Sequence, residues 1–131
     1  MILLDVNVLI ALGSRDHEDK AAAERYFCAL TEKFATCPIT QTGFVWVLAQ
    51  IDRSMALTDG VAVLASICSH PKHQFIADDV NALELPWTAI RGHCQVTDAY
   101  LATLARKHGA MLATFDRALA AIHPDVAVLI P

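Results

Sequence analysis

Nothing in this 131-residue chain approaches the roughly 18 consecutive apolar residues that a membrane-spanning helix requires. The opening Met1-Ile2-Leu3-Leu4-Asp5 lacks the basic segment and long apolar stretch of a secretory leader, so a cytoplasmic location is expected. There is no C-x-x-C pair. Cys28, Cys37, Cys68 and Cys94 are scattered, with no histidine at finger-like spacing, which argues against zinc and for buried free thiols in a reducing compartment. No basic excess is present either. The net charge of -4 argues against a broad nucleic-acid-coating surface, though it leaves room for a nuclease whose own carboxylates contribute to that charge. No repeat, linker or low-complexity tract interrupts the chain, so residues 1–131 read as one domain.

What the chain does have is apolar residues: 55% of the sequence, with a mean hydropathy of +0.41. A partner or a second copy explains that surplus better than a membrane does. The apolar residues fall into short runs separated by helical patterns. A strand is predicted over about residues 1–4, then a short apolar helix from Val6 to Leu12, and an amphipathic helix from His17 to Glu32. Phe34 to Cys37 reads as a strand ended by Pro38. Thr40 is placed to cap a helix running to about Ile51, and Thr58 or Asp59 to cap another that ends near His70-Pro71. Gln74 to Ala77 is a weaker strand candidate, followed by Asp78-Asp79 in a solvated loop. Pro86 to Cys94 has no clear pattern. Thr97 is placed to cap a strong helix, Asp98 to Lys107, stopped by His108-Gly109. A strand from Met111, a short helix from Arg117 to Ile122 and a last strand from Val126 to Ile130 complete the pattern. Alternation of this kind predicts an α/β fold around a largely parallel sheet.

Two of the apolar runs stop on an aspartate, Leu4 on Asp5 and Phe115 on Asp116. In open α/β sheets ligands bind outside the carboxyl ends of the strands. Asp98 adds a third carboxylate: Leu101, Ala102 and Ala105 follow at three, four and seven positions, which puts Asp98 on the apolar face of its helix. A carboxylate there is costly without a partner. Each aspartate singly has a structural explanation, as a helix cap or a favourable charge at a helix N-terminus. Three arriving at one sheet edge repel one another unless a cation sits among them, which predicts a divalent-metal site. Magnesium suits such a site, being hard, oxygen-seeking and content with few protein ligands. His17, His70, His73, His93, His108 and His123 show no paired spacing and read as surface or capping residues.

Met1 to Leu9, with Asp5 and Asn7, is followed by Pro38-Ile-Thr-Gln41-Thr-Gly43-Phe44-Val, then Val96-Thr97-Asp98-Ala-Tyr100, then Leu112-Ala-Thr114-Phe115-Asp116-Arg. Together these resemble the successive motifs of PIN-domain ribonucleases, above all the VapC-type toxins of bacterial type II toxin–antitoxin pairs. The resemblance covers the whole chain. It implies a three-layer α/β/α fold with a mainly parallel central sheet. It also implies Mg²⁺- or Mn²⁺-dependent endonucleolytic cleavage of structured RNA such as tRNA or rRNA, homodimerisation, and neutralisation by an antitoxin protein. Carried over, Asp5, Asp98 and Asp116 match the metal-binding carboxylates. Asn7 matches a position supporting the first of them, and Thr114 a small polar position beside the last. Gln41 departs from the pattern, standing where a glutamate usually completes an acidic quartet. The expectation is weaker metal binding, tightened by Gln41→Glu, with Asn7, Gln41, Thr97 and Thr114 orienting the carboxylates or water. Arg15, Arg53, Arg91 and Arg117 are candidates for contacting RNA, and Trp46 reads as an interface residue. A non-enzymatic alternative is a PIN-like module that binds a protein or RNA partner through a weakened site. A receiver domain lacks its late lysine here, and a haloacid-dehalogenase-like phosphatase lacks its Asp-x-Asp pair, since Asn7 occupies the second place.

Overall fold

The computed structural model describes residues 1–131. Five strands form one sheet: β1 (Ile2–Leu4), β2 (Phe34–Thr36), β3 (His73–Phe75), β4 (Met111–Thr114) and β5 (Ala127–Leu129). Their spatial order is β3-β2-β1-β4-β5, and every pairing is parallel. Six helices connect them: α1 (Val6–Gly13), α2 (Lys20–Ala29), α3 (Pro38–Ile51), α4 (Leu57–Cys68), α5 (Val96–Lys107) and α6 (Arg117–Ile122).

Both faces of these short strands are covered, and alternate residues serve different layers. Leu3, Ala35 and Leu112 face Leu101, Leu104 and Ala105 of α5 in one buried cluster. Ile2, Leu4, Phe34 and Ala113 face Leu9, Phe44 and Leu48 of α1 and α3 in the other. Each fully buried Leu or Phe contributes about 1.5–3 kcal/mol by leaving water. The result is the expected three-layer α/β/α sandwich. Helices α1 and α3 approach so closely that a Cβ on Gly13 would lie 2.7 Å from the Phe44 ring. Gly109, at φ 62°, ends α5 in a conformation costly for any residue with a Cβ.

Several sequence expectations need correction at the level of caps and ends. The second helix spans Lys20–Ala29 rather than His17 to Glu32: His17 Nδ1 accepts from the Asp19 amide at 3.1 Å and closes a turn before it. Cys37, not Thr40, is the N-cap of α3; Thr40 acts from inside the first turn, its Oγ1 accepting from the Cys37 amide at 3.0 Å. Likewise Asp59 reaches back to the Ala56 amide from within α4. Thr97 caps nothing, because α5 starts at Val96 with Gln95 as N-cap. The Pro86–Cys94 region, which had no clear pattern, belongs to a segment of three short 3₁₀ turns, Ala82–Glu84, Trp87–Ala89 and His93–Gln95. His123 is buried rather than on the surface, with Nδ1 3.2 Å from Arg106 Nη2, and it is the C-cap of α6, its amide donating to Leu119 O.

Candidate metal and phosphodiester site

The strand order reverses around β1, since β2 lies on one side of it and β4 on the other. A crevice opens at the carboxyl end of a sheet where such a reversal occurs. Asp5 leaves β1 at that point and Asp116 follows β4. Asp98 enters from the first turn of α5, the layer that covers the same face as Leu3. The three carboxylates are therefore gathered by three different elements.

Asp5 is buried and tightly held. Its Oδ1 accepts from the Val6 amide at 2.7 Å, capping α1, and its Oδ2 accepts from Thr114 Oγ1 at 2.7 Å. The Thr114 hydroxyl is itself saturated, accepting from Asn7 Nδ2 at 3.1 Å and from the Asp116 amide at 3.0 Å. Asn7 Oδ1 closes the loop by accepting from the Phe115 amide at 3.2 Å. With both acceptor directions occupied, the only proton of Thr114 must point at Asp5. Asp116 caps α6, its Oδ1 accepting from the Ala118 and Leu119 amides at 2.7 and 3.0 Å. Its second oxygen is free and exposed.

Asp98 differs from both. Its carboxylate has no hydrogen bond, and no Lys, Arg or His forms an ion pair with any of the three aspartates. Burial, then the charges of Asp5 and Asp116, push the Asp98 carboxyl up to about 6. Burial also raises Asp5, although its hydrogen bonds from Thr114 and Val6 oppose the shift. An all-oxygen cluster with uncompensated charge fits a hard divalent cation. No three His, Cys, Asp or Glu side chains are drawn together closely enough to hold one ion in common. Magnesium, however, is commonly held by one or two carboxylates and completed by water, so the donor set fits it.

Gln41 is not gathered with the aspartates. Its Nε2 donates to Thr36 Oγ1 at 2.9 Å and lies 3.8 Å from Cys68 Sγ. Thr36 sits on the other face of the sheet, in register beyond Ala35, and its hydroxyl is 2.8 Å from His73 Nε2. Thr97 is exposed and makes no bond to the carboxylates. From the sequence, Asp78 is expected in a solvated loop. It is partly buried rather than solvated: its Oδ2 accepts from the Ile39 amide at 3.2 Å in the first turn of α3. Its Oδ1 is enclosed without a hydrogen-bond partner, and no sequence signal distinguishes it from Asp79.

A family model for the PIN domain matches residues 2–123. Ribonuclease VapC29 of Mycobacterium tuberculosis is 45% identical over 130 residues, covering 99% of this chain and 96% of the relative. Ribonuclease VapC38 of the same species is 41% identical over 120 residues, covering 88% and 85%. Among solved structures, the fold resembles M. tuberculosis VapC20, a sarcin–ricin loop cleaving toxin, with a TM-score of 0.70, 18% identity and coverage of 92% and 94%. A toxin–antitoxin complex from Klebsiella pneumoniae gives 0.71, 18% identity and coverage of 100% and 98%.

Proposed function

The chain belongs to the PIN-domain family, among its VapC ribonucleases, and from that premise we propose that it is a metal-dependent endoribonuclease acting as the toxin of a toxin–antitoxin pair. The observation that carries the metal dependence is the charge-uncompensated cluster of Asp5, Asp98 and Asp116 at the carboxyl edge of β1 and β4.

Asp5, Asp98 and Asp116 would hold Mg²⁺ or Mn²⁺. A bound divalent ion lowers the pKa of an attacking water and offsets charge on a phosphate undergoing substitution. The chain's own residues prepare that chemistry. Thr114 and Asn7 lock the Asp5 carboxylate in one orientation, so no reorganisation is needed when a cation arrives. Asp116 is fixed through its cap on α6 and presents its free oxygen outward. Asp98, unbonded, gives up its proton above about pH 6 and is the adjustable ligand. The proposed substrate class is structured RNA, tRNA or rRNA; one neighbour in fold is named as a sarcin–ricin loop cleaving toxin.

An antitoxin protein is the expected partner, in line with the toxin–antitoxin assemblies among the fold neighbours. The chain offers a groove of about 960 Å³ with Leu48, Met55 and Val63 inside and Asp16, Glu18 and Asp59 along it, suited to an apolar segment with basic residues. Exposed Trp46, Leu57 and Val61 support homodimerisation. No helix is long and apolar enough to cross a membrane.

Incubating the purified chain with total cellular RNA and sequencing the new ends tests the reading. Discrete cuts that disappear with EDTA and in Asp5→Ala are expected. Cleavage that survives either treatment overturns the metal mechanism. Gln41, turned away to Thr36, motivates the rival of a binding module without turnover, and catalytic cycling in Mn²⁺ separates the two.

A further inference from the structure

The structure separates the four candidate arginines into two groups. Arg15 lies just past the end of α1 and Arg53 just past the end of α3. Both helices start at the carboxyl edge and run away from it, by about 12 Å and about 21 Å of helix respectively. Arg15 lines the acidic groove, and Arg53 lies beside Trp46 and Leu57. Neither is placed to meet a phosphate at the aspartates. Arg117 is the first residue of α6, next to Asp116, and Arg91 lies in the turn that leads into α5 and Asp98. Both are exposed, and neither guanidinium has an acidic partner.

Arg91 belongs to an unusual stretch. Between Leu85 and Thr97 there is no carboxylate, in a chain whose net charge is -4. The stretch is part of a long connection from β3 to α5 with no helix beyond single 3₁₀ turns, the kind of segment that is commonly functional. It is nonetheless fixed. Trp87 Nε1 donates to Ala82 O at 2.8 Å, which immobilises the indole while 47% of the residue stays exposed. The Ile90 amide bonds back to Trp87 O at 3.3 Å. Gln95, the N-cap of α5, accepts the Arg91 amide at 3.0 Å. Hydrogen bonds thus fix the Trp87 ring and, separately, tie the Arg91 backbone to the N-cap of the helix whose first turn bears Asp98.

We propose that Trp87 and Arg91, on the connection that leads into α5 and Asp98, form an RNA subsite, with the indole face stacking on one unpaired base and Arg91 contacting an adjacent phosphate. The proposal rests on the ribonuclease reading and narrows it: the substrate presents an unstacked base next to the cleaved bond, as in a loop, rather than a continuous duplex. A pinned ring with its N–H already satisfied can offer only its face, and stacking is how proteins hold splayed RNA bases. A local cation answers the repulsion that the three aspartates exert on an incoming phosphate backbone.

The test uses the full chain carrying Trp46→Phe, so that Trp87 is the sole tryptophan, and Asp98→Asn, to stop cleavage during titration. The probes are a fluorescein-labelled RNA stem-loop with an unpaired loop and a blunt RNA duplex of the same length. The stem-loop should quench Trp87 emission and the duplex should not. Trp87→Ala should weaken stem-loop binding about ten- to hundredfold while Trp87→Phe retains most of it. Arg91→Ala should weaken binding and lower the salt dependence by about one phosphate contact. Equal affinity for Trp87→Ala, or equal quenching by the duplex, overturns the subsite. If the chain with Asp98 intact still cuts the stem-loop while Trp87→Ala leaves its KM unchanged, the subsite fails and the ribonuclease reading stands. If the chain neither binds nor cuts either probe, both fail together.

Discussion

A buried threonine hydroxyl organises each face of the sheet edge around β1, and the two do opposite things. On the α5 face, Thr114 donates to Asp5 and accepts from Asn7 and the Asp116 amide. On the α3 face, Thr36 accepts from Gln41 and meets His73. The second network is neutral: burial holds the His73 imidazole below its usual range, and the Thr36 proton can satisfy its Nε2. The first is built around charge that nothing in the protein compensates. Structural polar clusters are expected to satisfy themselves; one that leaves three carboxylates without a counter-charge is prepared for something that arrives from outside.

The sharpest way to break the contrast is to remove the charge. Asp5→Ala or Asp98→Asn should lower RNA cleavage by about a thousandfold or more, the scale of several kcal/mol of transition-state stabilisation. Single-turnover assays on a defined RNA check this, and residual activity near the parent's would dissolve the distinction between the two faces.

Next in size is the anchor itself. Thr114→Val keeps the shape but leaves Asp5 Oδ2, Asn7 Nδ2 and the Asp116 amide without their shared partner. A loss of about 2–4 kcal/mol in urea unfolding is expected, together with weaker Mn²⁺ binding by calorimetry. A stability change without any change in Mn²⁺ binding would make Thr114 a core residue only.

Gln41→Glu probes the opposite face. Sequence comparison alone predicts tighter metal binding, but the side chain's partners are Cys68 and Thr36, the hydroxyl that also meets His73. The expected outcome is therefore a His73 that titrates at higher pH by NMR, with Mn²⁺ affinity changed less than about threefold, since opposite charges couple strongly only at short range. A large gain in Mn²⁺ affinity would show that position 41 swings across to the aspartates.

The smallest effect is in pH. Asp98 sits at about 6 in the folded chain against an ordinary 3.8. Across that window the folded state keeps a proton that the unfolded state has released, so its contribution to stability declines as pH rises and is fully lost above about 6. In EDTA, the parent should lose stability between pH 4 and pH 6 relative to Asp98→Asn. Metal binding should show the reverse trend, strengthening as Asp98 ionises. Parallel pH profiles for the two proteins would remove Asp98 from the coupled cluster.

Much of the architecture was legible locally. Apolar runs ending on Asp5 and Asp116 give strands and a carboxyl edge, and the helical phase of Asp98 points it into the same layer as Leu101 and Ala105. The ends of helices were read less well, because Thr40 and Asp59 act from the third helical position on the amides of Cys37 and Ala56, and the caps themselves, Cys37, Ala56 and Gln95, are not residue types that signal a helix start. Gln41 illustrates the limit most clearly. Its place in the chain aligns it with a ligand position, yet which face of the sheet it serves depends on Thr36, Cys68 and His73, brought to it by β2, β3 and α4.

The sequence by itself determined which strand ends and which helix face carry the three aspartates, since apolar periodicity fixes both. Only the tertiary structure decided how they differ. Asp5 is locked by a hydroxyl 109 positions away, Asp116 uses one oxygen as a cap and keeps the other free, and Asp98 is left free with its proton held to about pH 6. Those distinctions come from hydrogen bonds and burial between segments distant in the chain, which no local pattern encodes.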